Sequence, residues 1–310
     1  MIDGVSLDQL RAFIAAAEEG SFSGAGRKLR RAQSAVSELV ANLEGQIGVE
    51  LFDRSGRYPK LTPQGVVLLA DARNVIAGVD GMKSRAKGIS GGLEPELSVV
   101  VDVFFPIQVI TEAAKEFRDR FPTVPLRLLV EALGGAIQPV LDGRAGVGVV
   151  GSLPLTPPSV MAERLTGVRF VMVASSGHPL AAIKGPIARQ DLMRHTQLVL
   201  TDRSDLSHGR EFGVISGSTW RLGDLFAKHA FLLNGLGWGG MPRHAIEADL
   251  AAGRLVELEI EDIPAGGLIL SMFAVYPIAA PPGPAGRWLI ERLRSCGSLA
   301  GPPPNDASMG

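Results

Sequence analysis

Residues 7–65 read LDQLRAFIAAAEEGSFSGAGRKLRRAQSAVSELVANLEGQIGVELFDRSGRYPKLTPQG, and they decide the fold of the amino-terminal third. Leu7, Leu10, Ile14 and Ala17 recur at helical spacing as far as Gly20, a residue suited to ending a helix. Ser21 or Ser23 can cap a short second helix through Ala25 and Leu29, and Arg30-Arg31 makes a polar turn. In the third helix Val36, Leu39, Val40, Leu43 and Ile47 form one stripe at spacings of three and four. Ser34, Ser37, Glu38 and Ala41 fall on the opposite face, small and polar enough to approach another surface closely. Two short helices, a tight turn and such a third helix describe a helix-turn-helix; for the third helix alone, a solvated surface helix is the competing reading.

Beyond it, Leu51–Arg54 and Tyr58–Thr62 read as two short strands turning at Ser55-Gly56. Arg54, Arg57 and Lys60 lie on this hairpin, and Arg30 and Arg31 just ahead of the third helix. These basic residues are expected to touch phosphates, while Gln33, Ser34 and Ser37, with Ser23, face the bases of double-stranded DNA. Thr62-Pro63 then opens a long helix through Val66, Leu69, Arg73, Ile76 and Val79, ending in the glycine-rich hinge 88–92. Its apolar stripe asks for a partner, most economically the same helix of a second copy.

With these residues in view, the stretch resembles the amino-terminal signature of LysR-type transcriptional regulators almost end to end. QSAVS, LE-x-x-IG-x-x-LF-x-R and LTPQG carry the likeness. The resemblance implies a winged helix-turn-helix, a dimerising linker helix and a co-inducer domain, often assembled as homotetramers. It also extends to PLRLLVEALGGAIQPVLDGRAGVGVVG (125–151) and SSGHPLA (175–181), with one departure, Gly146 where family members often carry an acid.

From Glu96 the chain alternates strands and helices. Residues 97–103 are rich in β-branched valine; Pro106 opens a helix with Ile107, Ile110, Ala114, Phe117 and Phe121 on one face; 126–130 and 147–150 are further strands. A second unit of the same grammar follows from Gly167, with strands at 170–174, 197–200, 237–241, 255–258 and 268–276 and a helix capped by Asp224. The expected class is α/β: a winged helix-turn-helix (1–65), a linker and hinge (66–92), and an effector domain (93–310). That domain would form two Rossmann-like subdomains in the manner of periplasmic binding proteins, 93–165 with 268–300, and 166–267. Crossovers are expected near 164–167 and 264–268, and disorder in the tail 301–310. Ligands of open α/β sheets bind beyond the carboxyl ends of strands, which nominates Asp102, Val103, Phe104, Thr201, Asp202 and Trp238. An acid beside apolar side chains at 102–105 predicts a neutral or amine-bearing aromatic effector rather than a dicarboxylate.

Composition agrees with a globular chain of several domains: 310 residues, 46% apolar, 20% charged, net charge −1. The small net charge excludes a uniformly basic coat but not a local one. Cys296 is the one cysteine, so neither an intrachain disulfide nor a cysteine zinc site is expected. No metal or cofactor is expected. The acidic start lacks a signal pattern, and no apolar run reaches the ~20 residues of a membrane span, so a cytoplasmic protein without membrane contact is expected. Gly235, Gly237 and Gly240 match G-x-G-x-x-G, but a helix precedes them where a nucleotide site needs a strand. His178, His195, His208, His229 and His244 are scattered without metal or catalytic spacing. The competing function, an enzyme or solute-binding protein on the same two-lobed scaffold, would need a convergent acid–base set or a secretion signal, and the sequence displays neither.

Overall fold

The computed structural model describes residues 4–56, 58–153, 157–206 and 212–297; Arg57, His208 and the tail 301–310 lie outside them. The chain divides into two compact units, Met1–Gly88 and Ile89–Gly310.

In the first unit α1 (Leu7–Glu19) opens with a capping box, Ser6 and Gln9 exchanging side-chain and backbone hydrogen bonds. The cap of α2 (Phe22–Leu29) is Ser21, whose hydroxyl accepts from the Gly24 N–H at 3.1 Å; Ser23 is left exposed on the helix. The stripe on α3 (Gln33–Ile47) is buried as its spacing demands, with Val36, Val40 and Leu43 packed among Phe13, Leu51 and Phe52. A two-stranded hairpin, β1 (Phe52–Asp53) and β2 (Lys60–Leu61), follows. Thr62 ties it to α4 (Pro63–Ser90): its hydroxyl donates to the Glu50 carbonyl and accepts from the Gly65 N–H. Gly65 is obligatory there, because a Cβ would stand 2.2 Å from the Leu51 carbonyl oxygen. The apolar residues of α4 separate differently from expectation. Leu69 and Ala72 join the core of this unit, Ile76 and Val79 are half-buried, and Val66, Val67, Val75, Met82 and Ile89 are exposed.

The second unit is built on one nine-stranded sheet in the order β4-β3-β5-β11-β6-β9-β7-β8, with β10 also on β6. One lobe holds β3 (Leu97–Asp102), β4 (Leu126–Glu131) and β5 (Val147–Val150), all parallel, with α5 (Ile107–Arg120) and the short α6 (Gln138–Leu141). The other holds β7 (Gln197–Leu200), β8 (Thr219–Leu222), β9 (Trp238–Pro242) and β10 (Leu255–Glu257), with α7 (Arg189–Leu192), α8 (Leu225–Leu233) and α9 (Glu247–Ala251). Two long antiparallel strands, β6 (Val160–Ser175) and β11 (Leu268–Pro277), run through both halves and are the expected crossovers. Their register shifts between Met272 and Phe273, where Leu165 is the extra residue of a bulge. The strand β8 escapes a sequence reading because TWRL is only four residues long, a half-exposed edge whose alternation is too short to mark a strand.

The last helix, α10 (Pro284–Gly297), is pinned to the crossover strands by charge. Glu163 of β6 accepts from Arg287 and from the Tyr276 hydroxyl, each at 2.7 Å, and from Arg294. The Arg287 guanidinium holds the Glu163 carboxyl down at about 2, against the cost of burial. The glycines of the apparent nucleotide fingerprint serve packing. A Cβ on Gly240 would stand 2.2 Å from the Phe170 ring, so β9 and β6 meet closely only without one.

Candidate functional site

Two sites emerge, one in each unit. On the first, Gln33 and Ser34 are exposed on the opening turn of α3, and Ser37 one turn later is half-buried. Arg30 is exposed at the left-handed end of α2, φ 56°, and Lys60 is exposed on β2. Arg31 and Arg54, expected to contact phosphates, are already engaged by the protein. Arg31 donates to Asp8 at 2.7 Å; Arg54 donates to Glu44 at 2.6 Å and lies 5.3 Å from the centre of the Phe22 ring. Arg57 falls outside the described residues.

Glu44 is the residue sequence reasoning passed over. Besides Arg54 it accepts the backbone N–H groups of Leu51 at 2.8 Å and Phe52 at 3.1 Å. One carboxylate therefore fixes the hairpin to the end of α3, which is the physical content of the acid and arginine in LE-x-x-IG-x-x-LF-x-R. The signal was there in the motif itself.

In the second unit a cavity of about 290 Å³ lies between the lobes. Phe104, Leu133, Gly151 and Ser152 line it from the first lobe; Thr201, Asp202, Arg221 and Lys228 do so from the second. Phe170, Met172, Leu268 and Leu270 of the crossover strands supply an apolar wall, and the Phe104 and Phe170 rings meet at 5.0 Å. Of the residues nominated from sequence, Phe104, Thr201 and Asp202 reach the cavity, and three do not. Trp238 is fully buried in the second lobe's core, its indole N–H donating to the His195 carbonyl, because β9 turns that side chain toward Leu180 and Leu192. Val103 packs on the core, its N–H donating to the Glu131 carbonyl.

Asp102 is fully buried and works behind the cavity wall. One oxygen accepts the Phe104 N–H at 2.9 Å; the other accepts the N–H groups of Gly151 and Ser152 and the Ser152 hydroxyl, the last at 2.5 Å. Burial pushes its carboxyl above the usual carboxylate range, and these four hydrogen bonds oppose the shift. The Ser152 oxygen in turn accepts from Leu133, whose φ of 52° is a left-handed conformation that a branched side chain resists. Asp102 thus sets the loops after β3 and β5 and, through Ser152, presses Leu133 into the cavity.

The lobes also touch directly: the Gly134 N–H donates to Asp202 Oδ2 at 3.1 Å, and Arg203 stands 3.8 Å from Glu131. Gln197, buried on β7, holds the segment 213–216 by donating to the Gly213 carbonyl and accepting from Ile215 and Ser216. Lys228 is one of the lining residues that sequence reasoning missed. Its signal lies in the spacing of α8, where Leu225, Lys228 and Leu232 share the buried face.

A helix-turn-helix with a braced hairpin in one unit, and a two-lobed α/β receptor enclosing a cavity in the other, define a ligand-responsive DNA-binding regulator. The chain belongs to the LysR family of transcriptional regulators. The family model "Bacterial regulatory helix-turn-helix protein, lysR family" matches residues 7–66, and "LysR substrate binding domain" matches residues 90–296. It is similar to the regulator AceR of Acinetobacter baumannii, 27% identical over 94% of this chain and 97% of that one. The activator AllS of Klebsiella pneumoniae is 29% identical, over 80% and 93% of the two chains. Among solved structures, the OxyR C206 mutant of Corynebacterium glutamicum shares the fold with a TM-score of 0.59 at 23% identity, covering 95% of this chain and 94% of its own. No helix of the described residues is long and apolar enough to cross a membrane.

Proposed function

We propose that this regulator reads promoter DNA with Gln33, Ser34 and Ser37, assisted by Ser23, and that Arg30 and Lys60 carry the phosphate contacts. A small effector fills the interlobe cavity against Phe104, Thr201 and Asp202 and changes how the protein engages its operator. Residues 1–65 serve DNA binding, 66–92 link, and 93–310 sense, acting as a receptor rather than a catalyst and working in the cytoplasm, where its DNA lies. Two copies pair through the exposed stripe of α4, and dimers associate into tetramers.

The observation that carries this reading is the cavity itself: both lobes contribute its walls, so an occupant bears on the angle between them. Footprinting on the DNA upstream of the protein's own gene, with and without candidate metabolites, tests it; protection that no metabolite alters refutes the switch. Lys60→Ala should lower the slope of log affinity against log salt by about one. An unchanged slope removes the hairpin from the phosphate-binding surface.

A further inference from the structure

Lys228 occupies a position where a lysine is costly. It is buried on α8, and its Nζ donates to the Gly240 carbonyl at 2.8 Å. An ammonium has three N–H donors, and that carbonyl takes one. No carboxylate among the described residues forms an ion pair with it. Lys228 lines the cavity, as does Gly240, whose carbonyl its amine reaches, so a partner for the remaining donors can arrive from the cavity.

The surroundings narrow what that partner is. Arg221 of β8, Phe170 and Met172 of β6 and Gly240 of β9 line the same cavity. Asp202, the acid among the described lining residues, has its oxygens turned to local donors, the Gly134 and Ser204 N–H groups and the Ser204 hydroxyl. Asp102, whose charge argued from sequence against an anionic effector, is spent on four hydrogen bonds behind the wall. The buried Thr201 hydroxyl has no hydrogen-bond partner among the described residues and is a further donor on the same wall. The remaining surface is Phe104, Phe170, Met172, Leu268 and Leu270.

We propose that the cavity is built for a small acid, one carboxylate on an apolar body, with the carboxylate charge taken by the Lys228 ammonium and the body laid against Phe104 and Phe170. This rests on the cavity being the effector site. The expectation of a neutral or amine-bearing effector is thereby replaced, because the acid it relied on does not face the ligand.

Protonation supplies a signature that a merely structural lysine lacks. Desolvation brings the Lys228 amine down to about 7 from 10.5, so in the empty protein it is mostly neutral at pH 8 and mostly charged at pH 6. An arriving carboxylate favours the charged form. Binding of an acid at pH 8 must therefore take up close to one proton, and binding at pH 6 almost none. Affinity should be level below about pH 6 and fall by close to tenfold per unit above pH 7.

The test is calorimetry on the full-length protein with phenylacetate and hexanoate, their amides, and the matching amines phenethylamine and hexylamine. The acids should bind at least tenfold more tightly than the amides at pH 6.5. Proton uptake, read from the dependence of enthalpy on buffer, should appear at pH 8 for acids alone. Lys228→Met keeps the stem and removes the charge; it should abolish both the preference and the uptake while melting no lower than the wild type. Acids that bind Lys228→Met as well as wild type, or bind wild type at pH 8 without proton uptake, overturn the proposal. So does binding of the amides or amines alone, or of no compound at millimolar concentration. Phe104→Ala separates the two readings: affinity for whichever compound binds should fall, and if it does not, the cavity is not the effector site.

Discussion

Ser34 is the second residue of α3, in a helix whose preceding residue, Ala32, offers no side-chain cap. A negative charge in an uncapped first turn is favourable to the helix by about 0.3–1 kcal/mol. The same charge is repulsive toward DNA phosphates. Ser34→Glu should therefore leave thermal stability unchanged or slightly raised while abolishing operator binding in a mobility-shift assay; normal binding would show that this turn does not face DNA. Ser37 is the poorer site for that substitution, since it is half-buried and a loss of binding there mixes with a loss of packing. Arg54 carries a similar ambiguity. Its removal frees Glu44, and with it the brace on Leu51 and Phe52, so a weakened complex would report the hairpin's position as much as any phosphate contact.

The elements differ in how plainly the sequence announced them. Strong periodicity made α3 legible to within its stripe, because Val36, Val40 and Leu43 have no alternative to the core of a small unit. Trp238 misled for the opposite reason: a strand buried on both faces gives no alternation to say which side chain turns to a cavity and which to the core. Lys228 was readable only as an exception on an otherwise apolar face. The helix α4 was half legible, its apolar content plain but its division between two faces not. Leu69 turns inward, whereas Val75, Met82 and Ile89 recur every seven residues on an exposed face, the spacing at which two helices pair side by side. Met82→Asp should convert the proposed dimer to monomers in sedimentation equilibrium without lowering the helix content. Dimers that persist at micromolar concentration would place the interface elsewhere.

At the scale of the second unit the contact between Gly134 and Asp202 joins the lobes beside the cavity. There is no room for a side chain at Gly134, where a Cβ would stand 2.0 Å from Ser204 Oγ and 2.7 Å from Asp202 Oδ2. Gly134→Ala should therefore break that hydrogen bond, lower stability by about 1–3 kcal/mol, and weaken effector binding several-fold. Binding and melting that match the wild type would mean the contact does not hold the lobes together. A second feature has mechanical consequences. The strands β6 and β11 pass unbroken through both lobes, yielding in register at the one bulge between Met272 and Phe273. Met272 abuts Gly151, where a Cβ would stand 2.1 Å from its sulfur, and the Gly151 N–H is held by Asp102. In an engineer's terms this is a flexure, two stiff leaves sharing one compliant line, rather than a sliding joint. An occupant of the gap would then act as a shim whose thickness sets the angle.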